Sequence, residues 1–112
     1  MVEVHPLGVP GRRPDFVPVA DVYEVEGLLV IRLAVPGVLE EDIDVSFGPD
    51  GLTVRGESEA PPVADEGRAV VREWRYGYFE RVVALPPDCG PEGLRVQVES
   101  GVLEIRLARA LS

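Results

Sequence analysis

"IDVSFGPDGLTVRGE", Ile43 to Glu57, is the stretch on which the fold turns. Before the break, Ile43, Val45 and Phe47 alternate with Asp44 and Ser46; after it, Leu52 and Val54 alternate with Thr53 and Arg55. A period of two puts successive side chains on opposite faces of a strand, one apolar and one polar. "GPDG" between the two runs is a strong turn signal: proline presets φ, Asp bonds to its own backbone, and glycine tolerates positive φ. Two such runs joined by such a turn form a β-hairpin.

The same period continues in both directions. Upstream, "ADVYEVEGLLVIRLAV" (Ala20–Val35) reads as two strands joined at Glu26–Gly27, with Leu29, Ile31, Leu33 and Val35 sharing a face. Pro36 and Gly37 end that run, and "GVLEEDI" has room for one helical turn. Downstream, Ser58–Arg68 is rich in proline and acid and is the longest loop expected in the body. "AVVREW" (Ala69–Trp74) returns to strand character, and another strand is expected from Tyr78 to Leu85. "LRVQVESGVLEIRLA" (Leu94–Ala108) closes as a hairpin, with Leu94, Val96 and Val98 on one face and Leu103, Ile105 and Leu107 sharing a face after the turn. No window holds a helical spacing. Seven to eight short strands with frequent turns predict an all-β chain folded as an antiparallel β-sandwich. Residues 1–16 carry Gly8, Gly11 and three prolines and are expected to be an irregular arm. The sandwich is expected over 17–107, and 108–112 form a short end.

Composition narrows the function. The chain has 112 residues, near the commonest domain size, and 46% hydrophobic content, enough for a core. Its formal net charge of -9 opposes binding to a phosphate backbone, and Arg12–Arg13 alone make no basic patch. No apolar run reaches the roughly 18 residues of a membrane helix, and the start lacks signal-peptide character. With Cys89 as the single cysteine, a cytoplasmic location is expected. His5 is the only histidine and lies in the arm, so nucleophilic triads and zinc sites have nothing to build on. Glu40, Glu41 and Asp42 lack calcium-loop spacing and read as a solvated turn. Cys89 sits beside Asp88, which discourages its thiolate. No phosphate-binding glycine loop is present. The expectation is a binding protein without catalytic residues, cofactor or metal.

Five motifs, in order, then resemble the α-crystallin domain of small heat-shock proteins, bacterial type. They are "PVADVYE" (Pro18–Glu24), "AVPGVLEEDIDV" (Ala34–Val45), "LTVRGE" (Leu52–Glu57), "REWRYGYFERVVALP" (Arg72–Pro86) and "SGVLEIRL" (Ser100–Leu107). Trp74 stands where an arginine is commoner in the family. The resemblance covers roughly Phe16 to Leu107 and implies an immunoglobulin-like sandwich and an ATP-independent chaperone, a holdase for unfolding client proteins. It also implies a homodimer by strand exchange, with the loop at about 58–76 as the reaching arm. Val70, Val71, Arg72, Trp74 and Arg81 are its interface candidates.

By the same resemblance, Val45, Phe47, Val96 and Val98 are candidates for a groove that takes a client or a tail. Leu7, Val9 and Phe16 are candidate arm contacts, and Val2, Val4 and Val17 add to the apolar surface. Relatives end in a tail bearing Ile-x-Ile; "LARALS" spaces Leu107 and Leu111 four apart, so a dimer or small oligomer with an empty or otherwise filled groove is expected. Two rival readings are an adaptor of CS-domain type and a subunit that co-assembles with a longer small heat-shock paralogue. Neither nucleic acid nor membrane is an expected partner.

Overall fold

The hairpin at the centre of the sequence forms as the turn chemistry requires. In a computed structural model, which describes residues 3–6 and 13–109, eight strands are found among those residues. They are β1 (Glu3–Pro6), β2 (Ala20–Val25), β3 (Leu28–Ala34), β4 (Ile43–Gly48), β5 (Gly51–Ser58), β6 (Gly77–Val83), β7 (Arg95–Glu99) and β8 (Val102–Ala108). β4 and β5 pair antiparallel from Ile43 opposite Gly56 to Gly48 opposite Gly51, leaving Pro49–Asp50 as the loop. The β2–β3 turn uses Glu26 and Gly27 at φ 38° and 82°, and the β7–β8 turn uses Ser100 and Gly101 at 52° and 77°. Two consecutive positive φ values match the right-handed twist of the flanking strands.

Two four-stranded sheets result, in the orders β1-β4-β5-β6 and β2-β3-β8-β7. The expected antiparallel β-sandwich is therefore present, with β1–β4 as the one parallel ladder between its strands among the described residues. Its inner layers are the alternating residues read above. Ile31 and Leu33 of β3, Leu103, Ile105 and Leu107 of β8, Val45 of β4, Leu52 and Val54 of β5, and Phe79 of β6 have no exposed surface. Each contributes roughly 1.5–3 kcal/mol by leaving water. Gly56 lies opposite Phe79. A Cβ there would sit 2.3 Å from the Phe79 ring, so the missing side chain is the space that ring fills.

Three local features differ from the sequence expectations. The segment 1–16, read as irregular, contains β1, which aligns Glu3 with Asp44 and Pro6 with Phe47. A four-residue run is too short to display a period, and its pairing is decided by the free backbone groups on the β4 edge. The loop after β5 contains a single helical turn, Val63–Glu66, entered through Pro61 and Pro62, a position where proline loses no helical bond. The strand expected to reach Leu85 stops at Val83, ahead of Pro86 and Pro87. Ala69–Trp74, expected to pair with another protomer, forms no ladder among the described residues, and all six of its residues are exposed. Glu40–Asp42 makes the single expected turn, as a 3-10 helix.

Candidate functional site

A sandwich with open sheets ends in strands whose outer backbone groups need partners. Here the edges are treated differently. The outer edge of β6 is covered by Asp15–Pro18: Asp15 and Phe16 bond to the Tyr78 backbone, and Phe16 bridges Phe79 in parallel. Arg81 Nη1 reaches the Pro18 carbonyl at 3.5 Å. β4 is flanked by β1. β7 has no outer strand among the described residues, but Arg95, Gln97 and Glu99 line it as exposed polar groups, a device that resists strand addition.

β2 is the exception. No described strand pairs with its outer side. Val22, Tyr23 and Val25 are about half exposed, and Val17 and Val19 just before it are 54% and 72% exposed. The same protomer carries an unpartnered segment of complementary character. Val70 is 88% exposed, Val71 75% and Trp74 57%. Ala69–Trp74 matches the six residues of β2 in length. Charge also matches, since Arg68, Arg72 and Arg75 accompany the segment with Glu73, whereas Asp21, Glu24 and Glu26 mark β2 and its turn.

The segment has local order. Trp74 stacks on Tyr76 with ring centroids 5.7 Å apart and planes 16° from parallel, and the Arg72 guanidinium lies 5.4 Å from the Tyr76 ring centre. Trp74 also borders a hollow of about 200 Å³ against Val17, Val19, Val35 and Val38. Of the interface candidates, then, Val70, Val71, Arg72 and Trp74 stand on this exposed segment. Arg81 stands apart, half-buried on the sandwich margin. It shares the inward face of β6 with buried Phe79 and Val83, yet among the described residues no carboxylate pairs with it. Its neighbour Arg55 has Glu80 at 3.5 Å.

The groove candidates separate as well. Val45 has no exposed surface, while Phe47, Val96 and Val98 are partly buried and pack on the core. Leu7 and Val9, like Val2, lie outside the described residues. Phe16 lies with its ring centre 5.5 Å from that of Phe79. The outer face of the second sheet is a solvated ion-pair ladder, Arg32 and Arg106 on either side of Glu104.

Sequence reasoning passed over two features. One is Asp15, whose partner Tyr78 is 63 residues away, a separation no local pattern reports. The other is Arg109, which binds Asp88 at 3.0 and 3.3 Å and Glu24 at 2.7 Å. Its backbone N–H also donates to Gly27 O at 2.9 Å, so Arg109 ties the β2–β3 turn to the loop before β7. Cys89 sits in that loop beside it. Burial pushes the Cys89 thiol above its ordinary pKa, Asp88 and Glu24 add to the rise, and Arg109 opposes it. Thiolate is therefore scarce at neutral pH. Alkylation of Cys89 at pH 7 is expected to run several-fold slower than that of free cysteine. Asp88→Asn should speed it and Arg109→Ala should slow it further. Among the described residues no group of three His, Cys, Asp or Glu side chains is placed to hold a metal ion, and no helix is long and apolar enough to cross a membrane.

Comparison with known proteins agrees with this architecture. The family model described as Hsp20/alpha crystallin matches residues 21–112. Small heat shock protein C2 of Rickettsia felis is 25% identical over 95 residues, covering 85% of this chain and 62% of that protein. Spore protein SP21 of Stigmatella aurantiaca is 30% identical over 96 residues, covering 86% and 57%. The chain thus spans about three fifths of the length of these curated relatives. Among solved structures, a small heat-shock protein from Xylella fastidiosa superposes with a TM-score of 0.77 at 28% identity, covering 88% of this chain and 90% of that one.

Proposed function

Since the chain belongs to the Hsp20/alpha crystallin family, whose members are non-enzymatic chaperones, we propose that it is an ATP-independent holdase that works as a strand-exchanged homodimer. The observation that carries this reading is the coexistence, in one protomer, of an exposed strand-length apolar segment and an open apolar edge of equal length. Neither is paired among the described residues. Ala69–Trp74 of each protomer adds to the outer edge of β2 of the other, a two-fold arrangement in which both interfaces are identical. Main-chain hydrogen bonds supply the pairing, and the arginines around the arm face the acids around β2. Arg81, with its guanidinium at the margin and no carboxylate of its own, is completed by one from the partner, as a half-buried charge requires.

Client binding needs apolar surface that is available but dispersed. Val17, Val19, Leu39 and Val82 remain 45% or more exposed outside the arm and β2, and Phe47, Val96 and Val98 offer the walls of a groove beside the core. Plural weak contacts of this kind suit many unfolding chains better than one shaped pocket. The net charge of -9 keeps the loaded complex in solution.

The test is light scattering from a heated model substrate without ATP. Equimolar protein is expected to cut scattering by at least half and to retain the substrate in a soluble complex. Scattering unchanged at a several-fold excess sinks the holdase reading and favours a CS-type adaptor. If the charges around the arm and β2 matter as stated, dimer dissociation should also grow with salt, several-fold between 50 mM and 500 mM, because such pairs are screened within about 10 Å or less. A salt-independent dimer removes that part of the reading.

A further inference from the structure

We infer that Asp15 is a positioning residue, a clip that fixes the base of the arm 59–76 and thereby sets the direction in which the arm leaves the sandwich. The inference deepens the strand-exchange reading and rests on it for its consequence in the dimer.

The arm departs from β5 after Ser58 and re-enters the sheet at Gly77, and Ser58 opposite Gly77 is the last rung of the β5–β6 ladder. On the inner side of that re-entry the ladder holds the chain. On the outer side one residue does the same work. The Tyr78 backbone N–H donates to Asp15 Oδ2 at 2.8 Å, and the Asp15 backbone N–H donates to Tyr78 O at 2.7 Å. Phe16 N–H approaches the same carbonyl at 3.4 Å. A side-chain acceptor and a main-chain donor on one residue thus reproduce both bonds that a neighbouring strand would make, at the first outward-facing position of β6.

Two further observations show how closely the clip fits. Gly77 adopts φ +111°, which only glycine takes without strain, and a Cβ there would lie 2.3 Å from Asp15 Oδ2. Directly after the clip, Phe16 lays its ring 5.5 Å from that of Phe79, which is fully buried. The carboxylate therefore sits on a backbone corner kept bare for it, and its neighbour is anchored in the core. Three residues before the corner, Trp74 is stacked on Tyr76. With the corner held on both sides, the aromatic pair and the strand-length segment before it project along one path. Without the Asp15 carboxylate, the outer side keeps only the main-chain bonds to Tyr78 O, and the arm samples more directions before it meets a partner edge. Ordering it then falls on the association step.

The test compares Asp15→Ala with Asp15→Asn in the full chain, since an amide oxygen still accepts from the Tyr78 N–H and an alanine does not. In Asp15→Ala, exchange of the Tyr78 amide measured by NMR is expected to accelerate at least tenfold. The fluorescence anisotropy decay of Trp74, the only tryptophan, should show faster local motion, and the dimer dissociation constant should rise about fivefold to tenfold. Asp15→Asn should keep most of all three. In a double-mutant cycle, Gly77→Ala should cost less in the Asp15→Ala background than in the wild type, because the colliding carboxylate is gone. Wild-type Trp74 mobility in Asp15→Ala overturns the proposal, as does equal loss in Asp15→Asn. If the wild type is a monomer at every concentration, the strand-exchange reading falls, while the clip is still decided by the Tyr78 amide and Trp74 mobility.

Discussion

Replacing Ala69–Trp74 with six glycine and serine residues converts the dimer to a monomer and leaves the sandwich folded. The expectation follows from where these residues stand. They make no ladder among the described residues, and Val70, Val71 and Trp74 leave most of their surface in water. Their removal costs the protomer little beyond the stack on Tyr76. In the proposed dimer the same three side chains cover the Val22–Val25 edge of the partner. At roughly 1.5 kcal/mol or more for each side chain removed from water, one arm contributes at least about 4 kcal/mol. That amounts to roughly a thousandfold in dissociation constant, and two arms act per dimer. Sedimentation analysis at micromolar concentration should give the protomer mass, with far-ultraviolet circular dichroism and thermal midpoint close to wild type. An intact dimer places the interface elsewhere.

The second large effect is in the core. Gly56→Ala is expected to destabilise the fold by about 3 kcal/mol, at the upper end of overpacking costs. The added Cβ meets Phe79 Cζ at 2.3 Å, Phe79 Cε2 at 2.7 Å and the Asp42 carbonyl oxygen at 2.8 Å. Phe79 has no exposed surface to retreat into, being enclosed by the inner faces of both sheets. The carbonyl belongs to the turn that leads into β4. For a domain of this size the loss lowers the melting temperature by roughly 10–20 °C. Phe79→Leu in the Gly56→Ala background removes the outer ring atoms and should recover part of the loss. The double variant is then more stable than the sum of the singles. A Gly56→Ala variant within 1 kcal/mol of wild type means the ring does not lie over the backbone at this point.

Much of this architecture was legible in the chain because its causes are local. Gly-Pro-Asp-Gly, Glu-Gly and Ser-Gly each specify a tight turn by φ preference alone, and all three turn where read. Leu103, Ile105 and Leu107 face inward because period-two alternation leaves them no other arrangement with a buried face. What escaped the sequence is what depends on distance along the chain. β1 pairs with β4 across some forty residues, on a run too short to show a pattern. Asp15 finds Tyr78 by backbone geometry that no motif encodes. "AVVREW" has a strand's composition and pairs with no strand among the described residues, as the family resemblance to a strand-exchanging dimer leads one to expect.

The central claim is that two unsatisfied strand-like margins of one chain satisfy each other in two copies. Amide hydrogen exchange across a dilution series tests it most directly. The account predicts that the amides of Ala69–Trp74 and the outward-facing amides of β2 are slow at high concentration. On dilution they should lose protection together, at a single midpoint, while β3 and β8 stay protected. Arm amides that exchange at the free-chain rate at every concentration would contradict it.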